Sequence, residues 1–144
     1  MNPKRKNFQS KDVISISTNK SKLDLNFIYN YLTHSYWSPG ISKQKVVLGI
    51  KNSLCFGVYK NKKQIGFARV VTDYSRFAYL ADVFISDSEK GKGFGKLLMK
   101  YITERKDLQV DKFILTTKDA HSLYAQFGFV VPIQPERIME KRKK

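Results

Sequence analysis

The stretch Ile85–Met99, which reads ISDSEKGKGFGKLLM, decides how the rest of this sequence is interpreted. Three glycines occupy alternate positions in it, at Gly91, Gly93 and Gly95. An apolar segment precedes them, and apolar residues at a spacing of three and four follow, which is typical of the buried face of a helix. The stretch therefore predicts a strand, a glycine-rich loop and the start of a helix, in that order.

This order of elements predicts an anion-binding site. The first backbone N–H groups of a helix have no partner within the helix and carry a partial positive charge. Glycines let an anion approach such a backbone closely. Lys90, Lys92 and Lys96 add full positive charges around the same loop. We therefore expect residues 90–96 to bind a pyrophosphate group.

The spacing excludes two common phosphate-binding motifs. A P-loop requires Ser or Thr directly after its Gly-Lys pair, but Leu97 follows Gly95 and Lys96 here. A dinucleotide fingerprint requires a glycine three positions after its second glycine, and Leu98 stands three positions after Gly95. The glycine loop therefore belongs to neither of these two motifs.

Length and composition limit the class of protein. A chain of 144 residues with 42% hydrophobic residues is typical of one globular domain. The lone Cys55 excludes a disulfide framework and a cysteine-based metal site, and we expect it to be a small buried residue. The net charge of +15 is compatible with a polyanion partner, but also with a solvated basic surface. Charge alone does not decide between these interpretations.

The ends of the chain are more basic and polar than its centre. We expect residues 1–12 to form a flexible basic leader, residues 13–135 to form a single domain, and residues 136–144 to form a basic tail. No apolar run approaches the roughly 20 residues that a membrane-spanning helix needs. We accordingly expect a cytoplasmic protein without a membrane partner and without a metal site.

Periodicity predicts alternating strands and helices between these ends. The order of elements favours a mixed sheet with helices on both faces. The predicted elements are a strand over 13–17, a helix over about 22–33 capped by Ser21, a helix from Ser42 to about Asn52, strands over 53–60, 64–72 and 77–86, a helix to about Lys106, a strand over 113–117, a short helix capped by Asp119, and a final strand over 129–133.

Two motifs give the sequence a family resemblance. Residues 90–95, KGKGFG, match the Arg/Gln-x-x-Gly-x-Gly/Ala signature of the GNAT N-acetyltransferases, with Lys in place of Arg or Gln. Residues 116–120, TTKDA, and 123–129, LYAQFGF, resemble the second signature of that superfamily, a strand followed by Asn or Asp and a helix ending in Gly-Phe. The resemblance covers about residues 13–133.

The resemblance implies an α/β fold with a mixed, mostly antiparallel sheet of about six to seven strands. Acetyl-CoA would bind where the central parallel strands splay apart, and would donate its acetyl group to a primary amine of a small molecule or peptide. Many relatives form homodimers, so a homodimer is one expectation. The residues implied in acetyl-CoA binding are Val83, Phe84, Ile85, Lys90, Gly91, Lys92, Gly93, Phe94, Gly95, Lys96, Thr117 and Asp119.

The catalytic candidates are Tyr124 and Asp82. The resemblance places Tyr124 beside the thioester sulfur as the proton donor, whereas its apolar helical spacing also fits a core residue. Asp82 is the single charge in the apolar run FAYLADVFIS, which suits a general base or a structural partner of Arg69, Arg76 or a loop N–H. His34 is the other candidate base, because an imidazole titrates near neutral pH.

The acceptor-binding residues are expected between the first two helices. His34, Tyr36 and Trp37 lie in that loop, and in the superfamily this region shapes the acceptor pocket. Because no Ser-His-Asp or Cys-His pattern is evident, direct attack in a ternary complex is favoured over a covalent acyl-enzyme.

The sequence leaves two alternatives to an enzymatic function. One is a GNAT-like protein that binds an acyl-CoA without turnover, and the other is a basic nucleic-acid-binding module. The aromatic residues fall mainly on apolar periodic positions, and no nucleic-acid-binding motif is present, which disfavours the second alternative.

Overall fold

The structure is a computed structural model that describes residues 12–143. Its single sheet has five strands in the order in which they occur along the chain. The first three neighbouring pairs are antiparallel, and the last pair is parallel. The strands are β1 (Ile14–Ser17), β2 (Leu54–Lys60), β3 (Lys63–Thr72), β4 (Phe77–Ile85) and β5 (Lys112–Leu115).

Within residues 12–143, four α-helices cover the sheet, and they are α1 (Leu25–Thr33), α2 (Lys43–Lys51), α3 (Phe94–Thr103) and α4 (His121–Ala125). Helices α1 and α2 bury Ile28, Leu32, Val46 and Ile50 in a cluster with Phe67 and Phe84 of the sheet. Helix α3 buries Leu98, Met99 and Ile102 in a second cluster with strand residues that include Phe56, Val70 and Leu80. The sheet thus has helices on both faces, as the sequence predicts. Among the described residues, no helix is long and apolar enough to cross a membrane.

The helix caps differ in part from the sequence-based expectations. Ser42 caps α2 as predicted, since its side chain accepts a hydrogen bond from the N–H of Lys45. The prediction that Ser21 caps the first helix is wrong, because Asp24 accepts from the N–H of Phe27 and α1 begins only at Leu25. The prediction of an Asp119 cap on the last helix is also wrong, because Ala120 holds the capping position and makes no side-chain bond.

The predicted final strand over residues 129–133 is absent, and the part of the chain that the structure describes forms a sheet of five strands rather than six or seven. Pro132 cannot donate a backbone hydrogen bond to a ladder. Val130, Val131 and Ile133 are exposed instead of packing on the sheet. Phe129 alone packs inward, edge-to-face on Phe113 and Tyr124. The apolar composition of residues 129–133 predicts a strand, but the proline prevents the pairing.

The flanks of the predicted domain are only partly described. The leader expected over residues 1–12 lies outside the described residues except for Asp12. Of the expected tail, residues 136–143 are described, and they contain neither α-helix nor strand apart from the end of a short 3₁₀ turn at Pro135–Arg137. The division into a leader, one domain and a tail stays a prediction.

Two irregularities in β4 create the opening in which the candidate site lies. Parallel pairing with β5 ends at Leu80 and Leu115, whereas β4 continues to Ile85 and pairs there with β3 only. On the other side, the register against β3 shifts within residues 67–69, so that Asp82 and Val83 together lie opposite one residue. Asp82 adopts a φ of 56°, which is rare for a non-glycine residue. This bulge turns the end of β4 away from a regular sheet.

Candidate active site

A cleft of about 1430 Å³ opens between the diverging ends of β4 and β5. It extends from the glycine loop after β4 to the loop between α1 and α2. The predicted site residues that line this cleft are His34, Tyr36, Trp37, Asp82, Val83, Phe84, Ile85, Lys90, Gly91, Gly93, Phe94, Gly95, Thr117, Asp119 and Tyr124. Lys92 and Lys96 do not line it. The fold therefore brings most of the predicted residues together from five separate segments of the chain.

The glycine loop ends in an uncapped helix start. Gly91 and Gly93 adopt φ values of 79° and 90°, which favour glycine. Gly93 is the N-terminal cap of α3 and offers no side chain to the helix. The first backbone bond of the helix runs from the N–H of Leu97 to the carbonyl of Gly93, so the N–H groups of residues 94–96 have no intrahelical partner. These groups and the helix dipole can hold an anion.

The space around the three glycines tests whether a phosphate group fits this loop. A Cβ atom at Gly91, Gly93 or Gly95 would meet no heavy atom within 4 Å. Gly95 is helical and has no positive φ, so neither packing nor backbone conformation requires a glycine there. Glycine in a helix costs about 1 kcal/mol relative to alanine. The missing side chain leaves room for a ligand at the helix start, which fits a bound pyrophosphate.

The lysines of the loop have carboxylate partners. Lys90 lies 3.0 Å from Asp87, and Lys92 lies 3.1 Å from Glu89. Glu89 also pairs with Lys60 at 3.2 Å. The Asp87–Lys90 pair is exposed on both sides and contributes little to stability. Because two of the three predicted lysines are already paired, the backbone N–H groups are the main anion donors that the loop offers.

Asp82 forms the centre of a hydrogen-bonded chain. Its Oδ1 accepts from Nε1 of Trp37 at 3.0 Å, and its Oδ2 accepts from Nε of Arg69 at 2.9 Å. Arg69 donates onward to Oγ of Ser53 at 3.1 Å, and that hydroxyl donates to the carbonyl of Gly49 in α2 at 2.6 Å. These hydrogen bonds connect the bulge of β4 to β3, to α2 and to the loop that carries Trp37. Of the three structural partners that the sequence left open, Arg69 is the one observed.

We expect Arg69→Gln to destabilise the fold by about 1–3 kcal/mol, because it leaves the largely buried Asp82 carboxylate without its cation. Side-chain exposure of Arg69 and Asp82 is 23% and 12%, so solvent screens this pair only in part. Chemical denaturation measures the loss. Arg76→Gln is the matched control, since Arg76 is an exposed residue after β3 and makes no side-chain hydrogen bond to any described residue. Equal stability of the two variants would contradict the structural role.

The loop after α1 forms an aromatic wall of the cleft. Tyr36 and Trp37 pack edge-to-face with ring centroids 5.2 Å apart, and they are 56% and 39% exposed. Tyr31 stacks on Phe84 with ring centroids 4.0 Å apart, and its centroid lies 6.4 Å from that of Trp37. Exposed aromatic rings beside a cleft provide an apolar surface for a ligand.

His34 has one ring nitrogen occupied. Its Nδ1 lies 2.8 Å from the carbonyl oxygen of Asn30. Because a carbonyl only accepts, Nδ1 carries the hydrogen, and the neutral ring keeps the lone pair of Nε2. The ring lines the cleft, so Nε2 is able to accept a proton from a bound ligand.

Tyr124 lines the cleft from α4. Burial raises the pKa of its hydroxyl, and the neighbouring Tyr36 and Asp119 raise it further. Its ring packs edge-to-face on Phe129, and the residue also belongs to the rim of the core. The ring therefore has the packing role that the sequence allowed, while the hydroxyl stays protonated at neutral pH and is able to donate.

Sequence reasoning missed several lining residues. Tyr79, Lys118 and Arg142 line the cleft, and none of them was singled out from the sequence. Arg142 lies in the expected basic tail, where local pattern gives no signal for a place in the site. Lys118 stands inside the second family signature but occupies a variable position of that pattern.

Cys55 is buried, and burial raises the pKa of its thiol to about 11. A thiol of this kind stays protonated at neutral pH and is a poor nucleophile. Within residues 12–143, no group of three or more His, Cys, Asp or Glu side chains is arranged to hold a metal ion.

Comparison with known proteins assigns a family. A model of the acetyltransferase (GNAT) domain matches residues 51–131. The crystal structure of a proposed GNAT-family acetyltransferase from Xanthomonas campestris pv. campestris superposes with a TM-score of 0.88 at 40% identity, covering 91% of this chain and 94% of that one. A protein of Staphylococcus aureus has the same fold at 21% identity, with a TM-score of 0.73 and coverage of 92% and 100%.

A curated relative from Gibberella zeae carries the name of a proposed acetyltransferase. It is 24% identical over 109 residues, and the match spans 62% of this chain and 62% of that protein. The family model covers more than half of the present chain, and the Xanthomonas protein matches nearly all of it. The chain belongs to the GNAT family of acetyltransferases.

Proposed function

We propose that this protein transfers an acetyl group from acetyl-CoA to the primary amine of an acceptor by direct attack in a ternary complex. The observation that carries the proposal is the uncapped start of α3, which opens into the same cleft as Tyr124 and His34. An anion site and two proton-transferring side chains therefore share one cavity. Membership of the GNAT family supports the reaction class.

Residues 91–96 would hold the pyrophosphate of acetyl-CoA through backbone N–H groups. Residues 83–85 would hold the pantetheine, because parallel pairing with β5 ends at Leu80 and leaves the β5 side of this backbone unpaired. A backbone N–H near Val83 is then placed to donate to the thioester carbonyl. Bound acetyl-CoA supplies the acetyl group in an activated thioester.

Two side chains of the cleft are candidates for the general base. Both oxygens of Asp82 already accept hydrogen bonds, from Trp37 and Arg69. His34 keeps a ring nitrogen with no partner among the described residues. We therefore assign the base to His34 and a positioning role to Asp82, which holds the aromatic wall.

His34 and Tyr124 together account for both proton transfers of the reaction. The amine nitrogen forms the new N–C bond, and the C–S bond of the thioester breaks. Nε2 of His34 takes the proton that the amine loses, and the Tyr124 hydroxyl gives a proton to the departing thiolate. Exchange with water restores both side chains before the next turnover.

We expect Tyr124→Phe to lower kcat by roughly 10–10³-fold, because it keeps the ring and removes only the proton donor. The raised pKa of Tyr124 adds a second expectation. A tyrosine donates only below its pKa, ordinarily about 10, so wild-type activity should not fall through loss of this proton below that pH. Steady-state kinetics against pH measures both effects.

Tyr101→Phe is the matched control, since Tyr101 lies on α3 outside the cleft lining. A Tyr124→Phe protein with wild-type kcat but lowered stability would assign Tyr124 to the core alone and remove it from the mechanism.

A screen for CoA release tests the function as a whole. Purified protein and acetyl-CoA are incubated with a library of small amines, amino acids and short peptides, and the free thiol is measured. Calorimetry with acetyl-CoA is run in parallel. Failure to bind acetyl-CoA would overturn the proposal, and binding without release for any amine would favour the silent acyl-CoA-binding alternative. Cytoplasmic location and homodimer formation stay predictions.

A further inference from the structure

The acceptor end of the cleft carries a lysine, Lys118, whose charge no described carboxylate neutralises. We use "acceptor end" for the part lined by residues 34–38, Tyr79, Lys118 and Arg142. Nζ of Lys118 lies over the ring of Tyr36, 5.2 Å from its centroid. No described carboxylate lies within salt-bridge distance of Lys118, although carboxylates pair with most of the cations around the glycine loop.

Arg142 brings a second cation to this end. It lines the cleft, and Tyr79 of β4 lies close enough to act on its charge. Its partner is Glu140, two residues away in the chain, and both side chains are more than half exposed. A pair of this kind contributes little and exchanges readily with other partners. The guanidinium therefore remains available to a ligand.

The acidic groups at this end leave the charge of Lys118 without a partner. Asp82 accepts hydrogen bonds from Arg69 and Trp37, so the guanidinium of Arg69 already balances the charge of its carboxylate. Asp119 lies at the boundary with α4, where it acts on Tyr124. A ligand at this end thus meets two cations, with Asp119 at the boundary and the exposed Glu140 paired to Arg142, so Lys118 supplies the charge that no described carboxylate neutralises. The exposed rings of Tyr36 and Trp37 line the same space and offer an apolar surface.

Resting on the proposed function, we propose that the acceptor is a primary amine that carries a carboxylate near the amine, as an amino acid does. Lys118 and Arg142 donate charge-assisted hydrogen bonds to the carboxylate, and the carbon skeleton packs on the aromatic wall. The same cations disfavour a protonated amine beside them, so they favour the neutral, nucleophilic form. A polycationic acceptor is repelled for the same reason.

Matched pairs of acceptors separate charge from shape. L-phenylalanine is compared with L-phenylalaninamide, and L-alanine with L-alaninamide, because each amide keeps the skeleton and removes the negative charge. We expect kcat/KM to be at least tenfold higher for the carboxylate of a pair. Equal or better turnover of the amides overturns the inference. A panel of carboxylate-bearing amines that includes all the common amino acids gives a second test. If no member of that panel is turned over or binds in calorimetry, the inference is also overturned.

The Lys118→Gln variant tests whether Lys118 causes the preference for carboxylate-bearing acceptors. We expect the kcat/KM of the carboxylate acceptor to fall by roughly 10–100-fold while that of its amide and the affinity for acetyl-CoA stay unchanged. Lys112→Gln is the control, since Lys112 is an exposed lysine at the start of β5 that does not line the cleft. A variant with weaker acetyl-CoA binding and an intact carboxylate preference would place the Lys118 ammonium on the phosphates instead and overturn the inference.

The failure of this inference is distinguishable from that of the proposed function. Calorimetry on the wild-type protein measures acetyl-CoA binding without any acceptor. Absence of that binding, together with absence of CoA release, overturns both. Acetyl-CoA binding with preferential turnover of the uncharged amides overturns only the carboxylate preference and leaves the acetyltransferase proposal in place.

Discussion

Gly95→Asp should weaken acetyl-CoA binding by more than 100-fold while leaving the fold at least as stable as the wild type. Gly95 is the second residue of α3, has helical backbone and faces open space. An aspartate there removes the helical cost of glycine, about 1 kcal/mol, and complements the positive end of the helix dipole. The same side chain would fill the space that we propose for the pyrophosphate and would place a negative charge beside it.

The test is specific because acetyl-CoA affinity should fall while stability does not. A variant that merely unfolded would lose both affinity and stability. Calorimetry measures acetyl-CoA affinity, and thermal unfolding measures stability. Gln44→Asp is the matched control, since Gln44 is the second residue of α2, is exposed, and receives the same change of charge away from the cleft. Gly95→Asn separates bulk from charge. Unchanged affinity in Gly95→Asp would show that the glycine loop does not hold the pyrophosphate.

His34→Gln should lower kcat by about 10²–10⁴-fold with acetyl-CoA affinity unchanged, which is the usual contribution of a general base. The reason is the free Nε2 of the ring, which the bond between Nδ1 and Asn30 leaves available. The chain has two histidines, and His121 is exposed on α4 outside the cleft lining. His121→Gln is therefore the control, and its kcat should equal that of the wild type.

Asp82→Asn, measured beside His34→Gln, distinguishes the two candidate bases. The amide keeps the shape of Asp82 but weakens its bonds to Arg69 and Trp37. A positioning role predicts a higher KM for the acceptor and lower stability, with kcat changed far less than in His34→Gln. If Asp82→Asn instead lost kcat by 10²-fold or more at unchanged stability while His34→Gln stayed active, Asp82 would be the base.

The sequence predicted the glycine loop and its helix because that information is local. Glycines at positive φ, a helix start without a side-chain cap and apolar residues along one helix face all depend on residues within one short stretch. The structure has Gly91 and Gly93 at positive φ and α3 beginning at Phe94. The α/β class and the GNAT family are likewise confirmed.

The errors have local causes too. Asp24 and Ser21 are both good capping residues, and composition does not decide between them. The first contacts the N–H of Phe27, while the second lies in a 3₁₀ turn at Lys20–Lys22. The expected strand over residues 129–133 has the apolar residues of a strand, but Pro132 removes a ladder donor and its neighbours remain exposed.

The tertiary structure alone decided the partners of Asp82 and the composition of the acceptor end. Trp37 and Arg69 reach Asp82 from 45 and 13 residues away in the chain, and Lys118 and Arg142 reach the cleft from two further segments. The sequence by itself determined the family and predicted the anion site and the set of candidate residues, because these inferences follow from neighbouring positions. Which charges meet across the cleft depends on the bulge in β4 and its divergence from β5, and these form only when distant strands pair.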